Sequence, residues 1–164
     1  MAKYKYGFFV RMKRAVKLMY LRVMRLNATP HSVALGVACG VFGGCLPVVP
    51  VIPLQTLVGI ALAFLLGGNK VAAAISTWVS NPLNWLLFYY AQYKIGSFLL
   101  PFDLGLNLME IEAEQLVNAG WQAVVVMMTG GIAIGIPCAL LTYFPVRYMV
   151  RQYRIRKAMR LGRK

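Results

Sequence analysis

The sequence predicts an all-α, polytopic membrane protein with broken or re-entrant helices between basic amphipathic helices at its two ends. Three observations predict it. The chain is 60% hydrophobic and only 13% charged, whereas a soluble domain carries about 25% charged residues. The charges are segregated: eight Lys or Arg fall within residues 3–25, eight within residues 147–164, and only Lys70 and Lys94 between. All four acids, Asp103, Glu110, Glu112 and Glu114, share one short window, and residues 26–69 hold no charge at all. Such a stretch has little to offer water, so a bilayer is expected to cover it.

The length of 164 residues suits one domain. A net charge of +14 invites nucleic acid as a partner. Its placement argues otherwise, because both basic clusters flank apolar segments, where the positive-inside rule puts them. Membrane lipids with anionic headgroups are the expected partners, and nucleic acid is not.

The elements follow in order. Residues 1–25 are basic throughout, with no compact apolar core before a small-residue cleavage site, so no cleavable signal peptide is expected. Residues 8–26 read as an amphipathic helix. At 100° per residue, Arg11, Arg14, Arg22 and Arg25 fall within an arc of about 80°. Phe8, Met12, Ala15, Val16, Met19, Val23 and Leu26 fill the other side. Such a helix lies in the membrane interface; the alternative is an ordinary helix packed on a neighbour.

Thr29 can cap a helix whose first turn holds Pro30. Residues 31–46 then run apolar, and Gly36 and Gly40 form a small-xxx-small pair that permits close backbone contact. Residues 51–66 are the next apolar run, closed by the turn signal Gly67-Gly68-Asn69-Lys70. Each run has about 16 residues, whereas a span needs about 20. The two therefore fit as half-helices meeting at Pro47, Pro50 and Pro53, in a hairpin over 31–66 that either spans or re-enters.

Residues 71–100 read as a helix broken at Asn81-Pro82, since Pro82 removes a donor and Asn81 competes for backbone bonds. Residues 101–116 form a loop with a short surface helix. Residues 117–141 are long enough for one clean span, with a second small-xxx-small pair at Gly131 and Gly135 and a bend at Pro137. After Pro145, residues 146–164 form a basic cytoplasmic helix. Charge bias puts both termini in the cytoplasm and the acidic loop 103–114 outside. That parity holds for four crossings or for two. A second re-entrant hairpin closed at Asn81-Pro82 would instead bring the acidic loop inside, unless the final segment is also broken.

The residues that suggest function are the polar ones in this apolar setting. Irregular backbone within a bilayer must be satisfied by protein or water. Gln55 offers both donor and acceptor beside the three prolines, and Thr56 adds a hydroxyl. Either they tie down a strained turn, or they face a polar crevice with the positive end of the following helix open to an anion. Thr77, Ser80 and Asn84 line one face if their helix persists, with Asn81 beside the break. They serve as interhelical glue or as a ligand surface. Lys70 and Lys94 are the internal cations that could hold a phosphate, and His31 is a lone histidine near a helix start.

Enzymatic chemistry finds little support. There is no carboxylate pair in the apolar region, no Ser–His–acid set and no phosphate-binding loop. Cys39, Cys45 and Cys138 form neither a metal motif nor a disulfide framework and read as small packing residues. No cofactor is implied.

At residues 76–90, STWVSNPLNWLLFYY, preceded by GVACGVFGG and the Pro–Gln-Thr stretch and followed by YKIG, the chain resembles the domain of unknown function 2062 family. That family comprises small bacterial inner-membrane proteins, so the resemblance implies an inner-membrane location and no particular activity. In similar members the proline and Gln-Thr elements stand closer together than Pro47 and Gln55 do here.

Two functions are expected to compete. One is a transporter or handler of an anionic lipid or solute, acting through the two broken segments. The other is a structural or assembly protein acting through helix packing at its small-residue pairs, in a homo-oligomer, since so few crossings enclose little alone. A small membrane enzyme is the remaining alternative.

Overall fold

The structure, a computed structural model, describes residues 8–47, 54–79, 85–100 and 120–162. Pro50, Pro53, Ser80, Asn81, Pro82, Asn84 and the acidic loop 103–114 lie outside the described residues, as do the side chains of Phe8, Arg11, Met12, Ala15 and Val16. The described elements are helical: α1 (Phe8–Met24), α2 (Pro30–Gly44), α3 (Leu54–Leu65), α4 (Lys70–Ser76) with a 3₁₀ turn (Thr77–Val79), α5 (Trp85–Leu99) and α6 (Gly120–Leu161).

The start of α2 follows from its sequence. Pro30 occupies the first turn, and the Thr29 side chain accepts from the Ser32 amide at 3.1 Å. The turn after α3 is tied back to the same place. Gly67 takes a φ of 75°, a conformation that suits glycine. Ser32 donates to the Gly67 carbonyl at 3.1 Å, and the Asn69 amide donates to the Ser32 carbonyl at 2.8 Å. Asn69 then caps α4 by accepting from the Ala72 amide at 2.9 Å.

Helix α2 is the centre of the fold. It is apolar on all sides and buried along most of its length, as a helix enclosed by others must be. Its i, i+4 rows face different partners. Gly36, Gly40 and Gly44 face Asn69, Ala73 and Thr77 in turn, so α2 and α4 run parallel. Leu35 and Cys39 pack with Ile60, Leu62 and Ala63 of α3. Val33, Val37, Val41 and Cys45 join Ile134, Cys138, Val146 and Val150 of α6. Each glycine inside a helix costs about 1 kcal/mol relative to alanine, and here that cost is offset by backbone contact that a Cβ would prevent. A Cβ on Gly44, for example, would lie 2.9 Å from the Thr77 carbonyl oxygen.

Helix α6 departs from the expected arrangement. A span over 117–141 and a separate basic helix after Pro145 are expected, but one helix of 42 residues runs through both Pro137 and Pro145. Each proline withholds one backbone donor. Packing carries the helix past them: Cys138, Val146 and Val150 all seat against the α2 core. Thr142 also bonds back to the Cys138 carbonyl at 2.7 Å, the kind of local adjustment that lets proline sit inside apolar helices.

Among the described residues, α6 is the one helix long and apolar enough to cross a membrane, and only 28% of its apolar stretch is buried. Helices α2 and α3 are apolar but shorter. The outward side chains are those a lipid would cover: Phe98 is 89% exposed and Leu141 74%.

The end of α1 is packed. Val23 and Met24 are buried in the cluster shared with Val33 and Val150. Arg154 of α6 donates to the carbonyls of Leu26 and Ala28, gripping the link between α1 and α2. The expected apolar face of α1 thus meets the protein itself over its last turn.

Candidate functional site

The polar residues converge where the interrupted helices meet. Helix α2 stops at Gly44, and Cys45 and Leu46 continue its last turn through bonds to Val41, Phe42 and Gly43. Helix α3 begins at Leu54, which puts Gln55 and Thr56 in its first turn. A Cβ on Gly43 would stand 2.5 Å from the Gln55 carbonyl oxygen, so the two halves of the hairpin touch at this level.

The second interrupted segment arrives at the same level. Thr77 is 1% exposed, and its hydroxyl lies 3.2 Å from that of Thr56. Thr77 donates to the Ala74 carbonyl at 2.9 Å, so Thr56 is left as the donor between the two hydroxyls. Ser76 is spent on the carbonyls of Ala72 and Ala73. The change from α4 to a 3₁₀ turn at Thr77 accords with these hydroxyls bonding back to the preceding backbone. The face that Thr77, Ser80 and Asn84 would share if the helix persisted loses its α-helical register at Thr77, and its last two members lie outside the described residues.

Gln92 of α5 completes the junction and is not among the polar residues expected there. Its side chain is 1% exposed and donates to the Cys45 carbonyl at 2.9 Å. Its own oxygen has no partner among the described residues. A lone amide within WLLFYYAQYK is the signal that could have found it, since a polar group so placed needs a partner.

Small residues allow this convergence. A Cβ on Gly131 of α6 would lie 2.8 Å from the Cys45 carbonyl oxygen, and one on Gly135 would lie 2.9 Å from the Phe42 ring. Gly130 meets the Gln92 carbonyl and Gly96 meets the Val126 carbonyl, which pairs α5 antiparallel to α6. The pairs Gly36/Gly40 and Gly131/Gly135 are thus occupied within the chain. Pro47 sits beside Gly131, where its ring carbon would be 3.4 Å from an added Cβ.

The two internal lysines are not brought together. Lys70 starts α4 with its ammonium 4.3 Å from the Phe64 ring centre. Lys94 lies on α5 beyond Gln92, 5.9 Å from the Tyr90 ring centre. His31 pairs with the Tyr143 hydroxyl at 2.7 Å, and Arg147 donates to the same hydroxyl at 3.2 Å. The three cysteines are free thiols, two of them buried.

A model of the family described as an uncharacterized protein conserved in bacteria (DUF2062) matches residues 13–159. No curated protein matches the chain, and no solved structure does.

Proposed function

Since the chain belongs to the DUF2062 family, we propose that it is a bacterial inner-membrane protein that binds and handles an anionic lipid or solute at a polar junction of interrupted helices. The observation that carries this reading is the Thr56–Thr77 hydroxyl pair, which joins the first turn of α3 to the end of α4 inside an otherwise apolar body. Broken helices that meet at mid-depth are the usual substrate site of membrane carriers. The positive end of α3, with Gln55 and Thr56 beside it, is the part that would face an anion.

Depth along α6 supports the placement. His31 meets Tyr143 at one end of α2, and Cys45 meets Gly131 at the other. Those α6 positions lie about 18 Å apart, against a hydrocarbon thickness of about 30 Å. The hairpin 31–66 then enters and leaves on the side of the basic termini. Residues 70–100 make one crossing and α6 makes the other. Both termini are cytoplasmic and the acidic loop 103–114 is outside. Assembly through the glycine pairs is the less favoured reading, because those faces already hold helices of the same chain.

Two measurements test the proposal. Single cysteines at Val49, Leu66 and Leu108, in a protein otherwise free of cysteine, are labelled from each side of the membrane. Leu66→Cys should react only from the cytoplasm and Leu108→Cys only from outside. Reaction of Val49→Cys exclusively from outside would replace the re-entrant hairpin with two true spans. In parallel, Gln55→Ala protein of normal helicity should bind measurably less anionic phospholipid in nanodiscs, and unchanged binding would remove the junction as a site.

A further inference from the structure

A second feature lies between α1, α3 and α4. It is an open groove of about 640 Å³, lined by Met19, Ile60, Val71, Ala74, Ile75 and Trp78, with Arg22 and Lys70 also on its wall. Its size falls in the range of small-molecule sites. From Lys70 at the start of α4, the lining follows that helix to Trp78, next to Thr77 of the polar junction.

Among the described residues, the charge of this groove is unbalanced. Every acid of the chain lies within residues 103–114, so no carboxylate among the described residues is available to Arg22 or Lys70. Two cations on the wall of an apolar groove are complementary to a molecule with an anionic head and a hydrocarbon tail. We infer that this groove binds one anionic glycerophospholipid of the cytoplasmic leaflet, with its phosphate between Arg22 and Lys70 and an acyl chain along Ile60, Ala74 and Ile75 toward Trp78. The inference rests on the membrane placement proposed above and adds the route by which a lipid reaches the junction. The Lys70 ammonium, 4.3 Å from the Phe64 ring centre, keeps that contact on one side and offers its other donors to the phosphate. Arg22 comes from α1, so the bound lipid ties α1 to the body beyond the grip of Arg154.

Trp78 is 65% exposed and serves as the reporter. In a Trp85→Phe/Trp121→Phe background it is the sole tryptophan. This protein is placed in phosphatidylcholine vesicles containing a small fraction of either phosphatidylglycerol or phosphatidylcholine with mid-chain bromine. Brominated phosphatidylglycerol should quench Trp78 at about thirtyfold lower mole fraction than brominated phosphatidylcholine, since each of the two cations adds about 1 kcal/mol of attraction to an anionic headgroup. Arg22→Gln/Lys70→Gln should quench equally with both lipids. Lys13→Gln/Lys17→Gln, which removes as much charge from outside the groove, should keep the preference. Loss of the preference in this control, or its survival in Arg22→Gln/Lys70→Gln, overturns the site. Quenching without headgroup preference overturns the site and leaves the membrane placement standing. Absence of quenching by either lipid overturns both.

Discussion

The side-chain amide of Gln92 donates to the backbone carbonyl of Cys45 at 2.9 Å, joining α5 to the end of α2 across 47 residues of sequence. The Gln92 oxygen lacks a partner among the described residues. Losing the amide thus removes one good bond and one desolvated acceptor together. Gln92→Met should cost only about 1 kcal/mol. Gln92→Glu should cost about 3 kcal/mol or more, because it sets a buried carboxylate against a carbonyl. Denaturant titration in detergent micelles would rank the two, and the reverse order would refute this account.

Gly130 is a more demanding position than its composition suggests. An added methyl would collide with the Gln92 backbone carbonyl, which cannot swing aside as a side chain can. Gly130→Ala should therefore cost at least about 2 kcal/mol. Gly162→Ala, whose methyl would meet the Ala158 oxygen at 3.7 Å, should be neutral or slightly stabilising. Melting temperatures of the two variants check the contrast.

The Thr56–Thr77 pair lends itself to a double-mutant cycle. Thr56→Val removes the donor, Thr77→Val the acceptor, and both together remove the bond without a stranded hydroxyl. The coupling should be about 0.5–1.5 kcal/mol, the range for interhelical bonds in membranes. A coupling near zero would mean that the hydroxyls are neighbours without being partners.

Arg154 makes a prediction about α1. Its guanidinium satisfies the carbonyls of Leu26 and Ala28, and bonds to a charged donor contribute about 1.5–3 kcal/mol. Arg154→Gln should free α1 locally, seen as faster tryptic cleavage between Arg14 and Arg25 with α2–α6 intact. Arg151→Gln, at an exposed position, should leave the digestion rate unchanged.

Local chemistry in this chain is legible where one residue decides it. Thr29-Pro30 starts α2, Gly67 closes the turn after α3, and the short apolar runs do form short helices. The glycine spacings announce close contacts but cannot name the partner. Gly36 and Gly40 meet α4, whose parallel course depends on the whole hairpin returning first. Pro145 reads as a boundary because its local penalty is visible and the distant Val33 and Val37 that override it are not. Gln92 is hidden for a similar reason. Its partner is a backbone carbonyl, which leaves no mark in a sequence.

Helix α6 is about 63 Å long at about 1.5 Å per residue, roughly twice the hydrocarbon thickness. Its apolar half packs on α2 and α5, and its basic half carries Arg154. In the membrane placement proposed above, this single helix would act as a lever pivoting at the membrane surface. Thinning the bilayer favours a larger tilt of the apolar half. The basic half must then swing through the same angle, drawing along the link that Arg154 grips and the helix attached to it.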